Sequence, residues 1–224
     1  MNLLSDFVVF QSTYKTLALG LFRHGELCQR VSGESKEMSG VLLVQLDELL
    51  KKESLTVRDL TFMGVHVGPG PFTTIRTLVA YANGLAFSSG VPLIEIDGFE
   101  AFFKDLPPQQ SDYTVIIFNA FCQELFYAIR TNRTGVFETG ILSFAGMAEL
   151  LRRCAPLTVQ IAGQGVSLFK AELDQLRAAG LEVEILPQEA VSLEAMGAQA
   201  FEQWRDESKR VSIVLPRYLK QCAK

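Results

Sequence analysis

The first third of the chain places short apolar segments between tight turns. Three such segments run from Phe7 to Phe10, from Thr16 to Phe22 and from Glu26 to Val31. Short segments of this kind, bounded by Gln-Ser-Thr and His-Gly, are typical of strands joined in hairpins. The pattern therefore predicts an antiparallel meander at the start of the chain.

The next segment, from Ser35 to Lys52, has the spacing of a helix but too many apolar residues for one face. A helix that packs against a single core carries one apolar stripe. The surplus predicts a helix with a second contact, beyond its own core. The apolar positions are Met38, Val41, Leu42, Leu43, Val44, Leu46, Leu49 and Leu50.

A strand, a Gly-Pro-Gly-Pro turn and a second long helix follow between Val65 and Gly90. Threonine is a competent N-cap, so this helix is predicted to begin near Thr73 or Thr74. Gly90, with Pro92 just beyond it, is typical of a helix end. Such a turn lets the backbone approach either a phosphate or another protein closely.

The second helix carries a row of small residues at every fourth position, namely Ala80, Gly84 and Ser88, beside the mixed row Thr77, Tyr81 and Leu85. A ridge of small side chains lets another element come close. The sequence leaves two explanations open, because globular cores use the same device. The row packs either on the chain's own sheet or on another helix.

The rest of the chain repeats strands in hairpins and then alternates strands with helices, which indicates an α/β fold. The double proline Pro107-Pro108 with the polar residues after it marks the expected domain boundary. We expect a first lobe at 1–106, a second lobe at 107–204, and a tail at 205–224 packing back on the first lobe. The predicted elements are strands at Val91–Ile96, Tyr113–Phe118, Leu125–Thr131, Phe137–Leu142, Leu157–Ala162 and Val183–Leu186, and helices at Phe99–Phe103, Ala145–Arg153, Ser167–Ala179 and Ser192–Arg205.

Composition narrows the choice of function. The 224 residues are 48% hydrophobic with a net charge of −4, which argues against strong nucleic-acid binding by the chain itself. The segment Arg205–Lys224 differs, with six basic and two acidic residues, so it is either a solvated terminus or a basic patch for a partner or RNA. The four scattered cysteines, and a start without a basic or long apolar leader, predict a cytoplasmic protein without a membrane span.

The candidate catalytic groups do not form a recognisable set. The Gly-Pro-Gly-Pro turn has no Walker lysine, and its prolines remove two N–H groups, so a structural turn is favoured over a phosphate cradle. The two histidines lack metal-ligand spacing; we expect His66 in the core and His24 exposed in a turn. Ser12, Ser39 and Cys122 have no paired base, and Asp97 with Glu100 is explained by helix capping.

The ordered motifs of this chain resemble the bacterial TsaB (YeaZ) family. VGPGPFTTIR followed by GLAFSSG resembles that family's GPGSFTGLR and GLA motifs. FNAFCQELFYAI resembles its DAR.GEVY.A hairpin, IAGQGV its GDG turn, and PRYLK its terminal P.YLR. The matches occur in the same order along almost the whole chain.

The resemblance implies a two-lobed actin/Hsp70-like (ribonuclease H-like) fold, with a mixed sheet and helices in each lobe. It implies a noncatalytic subunit, without cofactor, that binds the TsaD-type catalytic subunit of tRNA threonylcarbamoyladenosine synthesis. A TsaE-type ATPase joins the pair, tRNA is met only through the complex, and the chain by itself could form a homodimer. The first two helices would supply the interface, for which we select Met38, Val41, Leu42, Gln45, Leu49, Thr77, Ala80, Tyr81, Gly84 and Ser88.

The chain departs from the family pattern at the positions near a nucleotide. The family's Asp-Thr-Ser at the end of the first strand is Gln11-Ser12-Thr13 here, which removes a carboxylate. Its His-Ser is Met38-Ser39, while Pro71 and Thr74 replace a serine and a glycine of the glycine motif. We therefore assign Gly68, Gly70, Thr73 and Arg76 to a structural turn. Two alternatives stay open: an active ATP-dependent or peptidase-like enzyme of the same superfamily, and a tRNA-binding module that uses the basic tail.

Overall fold

The computed structural model describes residues 5–108, 110–154 and 157–219. Within them the chain divides into two compact units: unit 1, formed by residues up to 104 together with 191–217, and unit 2, formed by 105–190 together with the residues after 217. Each unit contains one five-stranded mixed sheet with helices. The predicted α/β class with two lobes is therefore confirmed.

The sheet of unit 1 begins with the predicted meander. Its strands are β1 Asp6–Ser12, β2 Thr16–Arg23, β3 Glu26–Glu34, β4 Phe62–Gly68 and β5 Leu93–Asp97. Strands β1, β2 and β3 pair antiparallel, and β1, β4 and β5 pair parallel, in the order β3-β2-β1-β4-β5. Because β1 and β4 lie inside the sheet with both faces covered, their sequences are nearly continuous apolar runs.

Two long helices cover one face of this sheet. They are α1 (Ser35–Lys52) and α2 (Phe72–Ser89). Val8 and Phe10 of β1 point into the core beneath them. The hydroxyl of Tyr81 on α2 donates a hydrogen bond of 2.8 Å to the carbonyl of Ser39 on α1. The two helices therefore form one layer, and their outer sides form one surface.

An aromatic stack covers the opposite face of the same sheet. Phe7 stacks on Phe62 with ring centroids 4.3 Å apart, and on Phe201 at 5.9 Å; Phe62 in turn stacks on Trp204 at 4.9 Å. Phe201 and Trp204 belong to a late helix, Leu193–Trp204, whose Ser192 N-cap accepts a hydrogen bond from the N–H of Ala195. Successive side chains of β1 point to opposite faces of the sheet. Some therefore pack beneath α1 and α2, and the others pack in the aromatic stack.

That late helix corrects our domain boundary, since we assigned it to the second lobe. It packs across the sheet of unit 1, where its Gly197 lies so close to Phe22 that no side chain would fit. Only long-range contacts reveal this placement, because nearly one hundred residues separate β5 from the helix. Residues 205–217 also belong to unit 1.

Unit 2 repeats the strand order and strand directions of unit 1. After α3 (Gly98–Asp105) in unit 1, the elements of unit 2 are β6 Tyr113–Phe121, β7 Glu124–Thr131, β8 Phe137–Ser143, α4 Phe144–Cys154, β9 Val159–Ala162, α5 Lys170–Ala178 and β10 Val183–Ile185; the late helix Leu193–Trp204 is α6. The first three strands of unit 2 pair antiparallel, and its first, fourth and fifth pair parallel, in the order β10-β9-β6-β7-β8.

The repeat makes the helices of the two units topologically equivalent. In each unit one helix follows the third strand, so α1 corresponds to α4, and one follows the fourth strand, so α2 corresponds to α5. Unit 2 buries Met147 and Leu151 of α4 with Leu173 and Leu176 of α5 in its own core. A 3-10 turn, Gln164–Ser167, precedes α5, so this helix starts later than the predicted Ser167.

No helix in the described part of the chain is both long and apolar enough to cross a bilayer.

Candidate functional site

The glycine turn after β4 is filled by the chain itself. Gly68 has a φ of +130°, and a Cβ there would lie 3.1 Å from the backbone oxygen of Arg217. The N–H of Arg217 donates to the carbonyl of Val67 at 2.8 Å. The backbone of Arg217 therefore occupies the space that the missing side chain of Gly68 leaves open.

The helix after this turn begins earlier than predicted. Its first residue is Phe72 and its N-cap is Pro71, so the expectation of an N-cap at Thr73 or Thr74 is wrong. The hydroxyl of Thr74 instead donates to the carbonyl of Pro71 at 3.0 Å and accepts from Ser12 at 2.9 Å. The extended backbone of Pro71 already provides the geometry that an N-cap requires.

Gln11, at the position where the family pattern has aspartate, is buried. Its Nε2 donates to the carbonyl of Val191 at 2.8 Å. An amide supplies this donor, whereas a carboxylate at the same place would face a carbonyl oxygen with like partial charge. The end of β1 is thus built around a structural hydrogen bond.

His66 lies in the core of unit 1, as predicted. Its Nδ1 is 2.9 Å from the carbonyl oxygen of Ser12, to which it donates. Burial lowers the pKa of His66 to about 4, against smaller opposing effects from that carbonyl and from the nearby Asp97. The imidazole is therefore neutral near pH 7. His24 is exposed in the β2–β3 turn.

The carboxylate of Asp97 has a structural task, and two of the cysteines have no features of a reactive thiol. Oδ1 of Asp97 accepts from the N–H groups of Phe99 and Glu100, which is the predicted capping, and its other oxygen pairs with Arg217. Burial raises the pKa of the Cys28 and Cys154 thiols. Among the described residues, no three His, Cys, Asp or Glu side chains lie close enough to hold a metal ion.

Three of the residues that we selected for a partner interface lie in the core. Met38, Leu42 and Leu49 pack beneath α1 against the sheet, and Leu42 is fully buried. These side chains cannot present a surface to another protein, so that part of the selection is wrong. Sequence spacing identified their helix but not the direction in which each residue points.

The remaining selected residues lie at the surface of the α1–α2 layer. Val41 is exposed on α1, where its neighbours Leu43 and Val44 are exposed as well, Val44 to 56%. Ala80, Gly84 and Ser88 are exposed along α2. Gln45, Thr77 and Tyr81 are partly exposed. We call this surface, with Phe87, the α1–α2 face.

Gly84 is the most informative residue of the α1–α2 face. A Cβ built there meets nothing within 4 Å, so the unit gains no packing from the missing side chain. Glycine within a helix costs about 1 kcal/mol relative to alanine. The small row therefore does not serve packing on the chain's own sheet, which was the first of the two explanations.

We expected the tail at 205–224 to pack back on the first lobe, and the structure gives the described part of it a form that the sequence did not predict. The extended segment 211–217, which we call the strap, runs along unit 1: Val211 pairs with Leu93, and Asn83 of α2 bonds both backbone groups of Val214 at 2.9 and 3.0 Å. The strap leaves Ile213 and Leu215 exposed. The alternation of this short segment is the one signal that could have revealed it.

The basic tail is largely engaged with its own neighbours. Arg217 pairs with Asp97, and Arg210 stacks 3.9 Å from the Trp204 ring centroid and pairs with Glu207. Arg205 lies 5.2 Å from the ring centroid of Phe201. Residues 220–224, with two of the tail's lysines and Cys222, lie outside the described residues.

Solved structures with this fold include two from Pseudomonas aeruginosa. One, YeaZ, has a TM-score of 0.72, and another, described as similar to peptidase YeaZ, has 0.69; each is 16% identical and covers 96% of this chain and 100% of that chain. These neighbours confirm the predicted two-lobed actin/Hsp70-like fold and the structural likeness to YeaZ (TsaB).

Sequence comparison gives a second set of similar proteins. A tRNA N6-adenosine threonylcarbamoyltransferase from Clostridium botulinum is 32% identical over 81 residues, which are 33% of this chain but only 24% of the relative. The family model described as "TsaD: tRNA N6-adenosine threonylcarbamoyltransferase" matches residues 34–211. Because that match covers most of the sequence, this chain belongs to the TsaD family.

Proposed function

We propose that this protein is a noncatalytic subunit in tRNA N6-threonylcarbamoyladenosine synthesis. It binds a TsaD-type catalytic subunit through the α1–α2 face and stabilises it for the reaction. The single observation that carries the proposal is the exposed mid-helix Gly84 within an apolar surface, because the monomer does not account for it.

The composition of the α1–α2 face supports a protein partner. Val41, Val44 and Phe87 are exposed around a row of small residues on which another helix can rest closely. No acidic residue occurs on α2, and Arg76, its one basic residue, stacks 3.7 Å from the ring centroid of Phe72. A standard interface buries about 800 Å² per partner, which two helices of 18 residues each can supply.

The chemistry of unit 1 supports a noncatalytic role. Gln11 donates to a backbone carbonyl where the family pattern places a carboxylate, and Pro69 and Pro71 lack N–H groups in the glycine turn. His66 is neutral and sealed in the core. We extend the proposal to a cytoplasmic complex joined by a TsaE-type ATPase, with tRNA bound only through the complex, and to a homodimer when the partner is absent.

A reconstituted modification assay tests this function. The purified catalytic subunit and ATPase would be incubated with tRNA, ATP and a pre-formed activated threonylcarbamoyl donor, with and without this chain. We expect modification only when the chain is present, and its loss with Gly84→Glu, which puts a charge into the interface. Ala171→Glu, at an exposed alanine of the equivalent helix α5, is the matched control and should support full activity.

Because the Clostridium botulinum relative is a threonylcarbamoyltransferase, catalysis by this chain is the second candidate function. An enzyme of this superfamily that uses ATP must bind it, so calorimetric titration of the purified chain with ATP and magnesium separates the two. We expect no heat of binding. Micromolar affinity, or modified tRNA without the catalytic subunit, would reject the noncatalytic assignment.

A further inference from the structure

A recess of about 550 Å³ lies at the edge of β5, and all the residues that line it belong to unit 1. The lining comes from the ends of β4 and β5, the first turn of α3, the end of α6 with the residues just after it, and the strap. We call it the β5 recess. The proposed function makes no use of it.

The β5 recess lies where the strap stops covering the edge of the sheet. The N–H and the carbonyl of Leu93 both bond to Val211, so Glu95, two residues further along the strand, turns its own N–H and carbonyl to the same side. The 3-10 turn Glu207–Lys209 takes the chain out of pairing before it can reach Glu95. In the described part of the chain these two backbone groups of Glu95 have no hydrogen-bond partner. One donor and one acceptor are therefore available at the recess.

Charges of opposite sign line the β5 recess without pairing with each other. Asp97 and Arg217 form one ion pair within it. The carboxylate of Glu95 and the ammonium group of Lys209 also line it, and neither has an ion-pair partner among the described residues. A recess with one free charge of each sign is complementary to a small ligand that carries both signs.

The helix beside the recess also has polar groups that unit 1 does not use. Gln203 of α6 lines the recess, and Gln199 lies one helical turn earlier on the same side of this helix. Gln199 is fully buried, and both polar atoms of its amide lack a hydrogen-bond partner among the described residues. Buried polar groups are costly when they are left unpaired. This side of α6 is therefore better suited to a polar ligand than to closure by the chain itself.

The strap adds an apolar part to the same lining. Leu215 and Val211 both line the recess, and Leu215 is 68% exposed. A ligand with an apolar side chain would remove part of this surface from water. The lining is thus suited to a molecule that carries an aliphatic group next to its charges.

We propose that the β5 recess binds a free α-amino acid with an aliphatic side chain. The ammonium group of Lys209 and the N–H of Glu95 donate to its carboxylate, and the carboxylate and carbonyl of Glu95 accept from its ammonium group. Its side chain rests on Leu215. A nucleotide is disfavoured because Glu95, Asp97 and Glu100 would repel its phosphates, and a metal ion is disfavoured because Lys209 lies among these carboxylates.

Titration calorimetry of the purified full chain with leucine tests the proposal. We expect saturable binding with a Kd of about 1 mM or below, weakened about 10-fold or more by Lys209→Gln and by Glu95→Gln, since each removes one charge-assisted contact. Lys170→Gln and Glu138→Gln are the matched controls, because both residues are exposed charges of unit 2. They should bind leucine like the wild type.

Two analogues of leucine decide which chemistry the recess recognises. N-acetylleucine lacks the ammonium group and isoamylamine lacks the carboxylate, so each should bind about 10-fold or more weakly than leucine. Equal binding of N-acetylleucine would mean that the site takes acylated carboxylates, such as a peptide C-terminus, and would overturn the inference. Absence of leucine binding, or binding unchanged in both recess variants, would overturn it as well. The binding and modification tests of Gly84→Glu are independent of these results, so the proposed function stands or fails separately.

Discussion

The two units have the same topology but different outer helix faces. In unit 2 the exposed positions of α4 and α5 are mostly charged or polar, including Glu149, Arg152, Asp174 and Arg177. In unit 1 the equivalent α1 and α2 expose Val41, Leu43, Val44 and Phe87 around a row of small residues. Unit 2 demonstrates that a layer of this kind folds with a polar exterior. The apolar patch that α1 and α2 expose is therefore not a requirement of the fold, which is why we propose that a partner covers it.

The inner sides of the helices should be core in both units, so truncating a buried residue there should be equally costly in each. This is the largest change in stability that we expect. Leu42 of α1 and Leu173 of α5 are both fully buried. Replacing either by alanine removes buried methyl groups and leaves a cavity, which costs about 2–5 kcal/mol in the free energy of unfolding. Chemical denaturation of the two variants measures this cost. A cost below 1 kcal/mol for Leu42→Ala would mean that the inner side of α1 is not core.

The units also differ where the fourth strand ends. Counting from the first paired residues of the parallel ladders, Phe62 and Val159, His66 of unit 1 corresponds to Gly163 of unit 2. The pKa of His66 is lowered from 6.5 to about 4, so the unfolded chain binds its proton first. The contribution of His66 to the free energy of unfolding is therefore fully present above pH 6.5. It is lost as the pH falls towards 4, and the loss amounts to about 3 kcal/mol in all.

The free energy of unfolding between pH 7 and pH 4 measures this effect. His66→Gln should remove this part of the pH dependence, while His24→Gln, at an exposed turn, should keep it. Parallel profiles for the wild type and His66→Gln would show that the imidazole does not become buried and neutral on folding.

The strap is the next difference to test, because unit 2 has no segment in the described residues bonded in this way to α5. Asn83→Ala leaves the buried N–H and carbonyl of Val214 without partners. We expect a loss of about 1–3 kcal/mol, with faster hydrogen exchange at Val214. Ser88→Ala, which removes only a local bond within α2, is the control. Unchanged exchange in Asn83→Ala would mean that the strap is held by other contacts.

The smallest change in stability is expected for Gly84→Ala. It is also the most specific test of the α1–α2 face, because stability should rise while partner binding weakens. Gly84→Ala adds a methyl group where the monomer has open space, so it should raise the free energy of unfolding by about 0.5–1 kcal/mol. The same methyl group should weaken partner binding by holding the two surfaces apart. Thermal unfolding and a binding titration on one preparation test both. Improved stability with undiminished binding would remove Gly84 from the interface.

Local patterns predicted most of the fold. The meander, both long helices and the hairpins of unit 2 follow from periods of two and 3.6 residues together with glycine and proline positions. The placement of α6 does not, because its contacts with β1 and β4 join the two ends of the chain. The start of α2 was misjudged by two residues, since Pro71 takes the N-cap position and Thr74 bonds elsewhere.

The candidate site was predictable only as a pair of helices. Leu42 and Val44 are two residues apart and similar in hydrophobicity, yet one is fully buried and the other is 56% exposed. The apolar character of a side chain indicates that it is favoured away from water. It does not indicate whether the core of the same chain or a partner protein covers it. For the strap, the sequence predicted a tail that returns to the first lobe but not the bond between Asn83 and Val214, which joins residues 131 positions apart.

Sedimentation of the chain mixed with its catalytic subunit tests the central claim most directly. We predict one complex for the wild type and for Ala171→Glu, and two separate, folded species for Gly84→Glu, because an unpaired charge buried at the contact weakens binding by about 100-fold or more. A Gly84→Glu variant that co-sediments as fully as the wild type would contradict the claim that the α1–α2 face is covered by the partner.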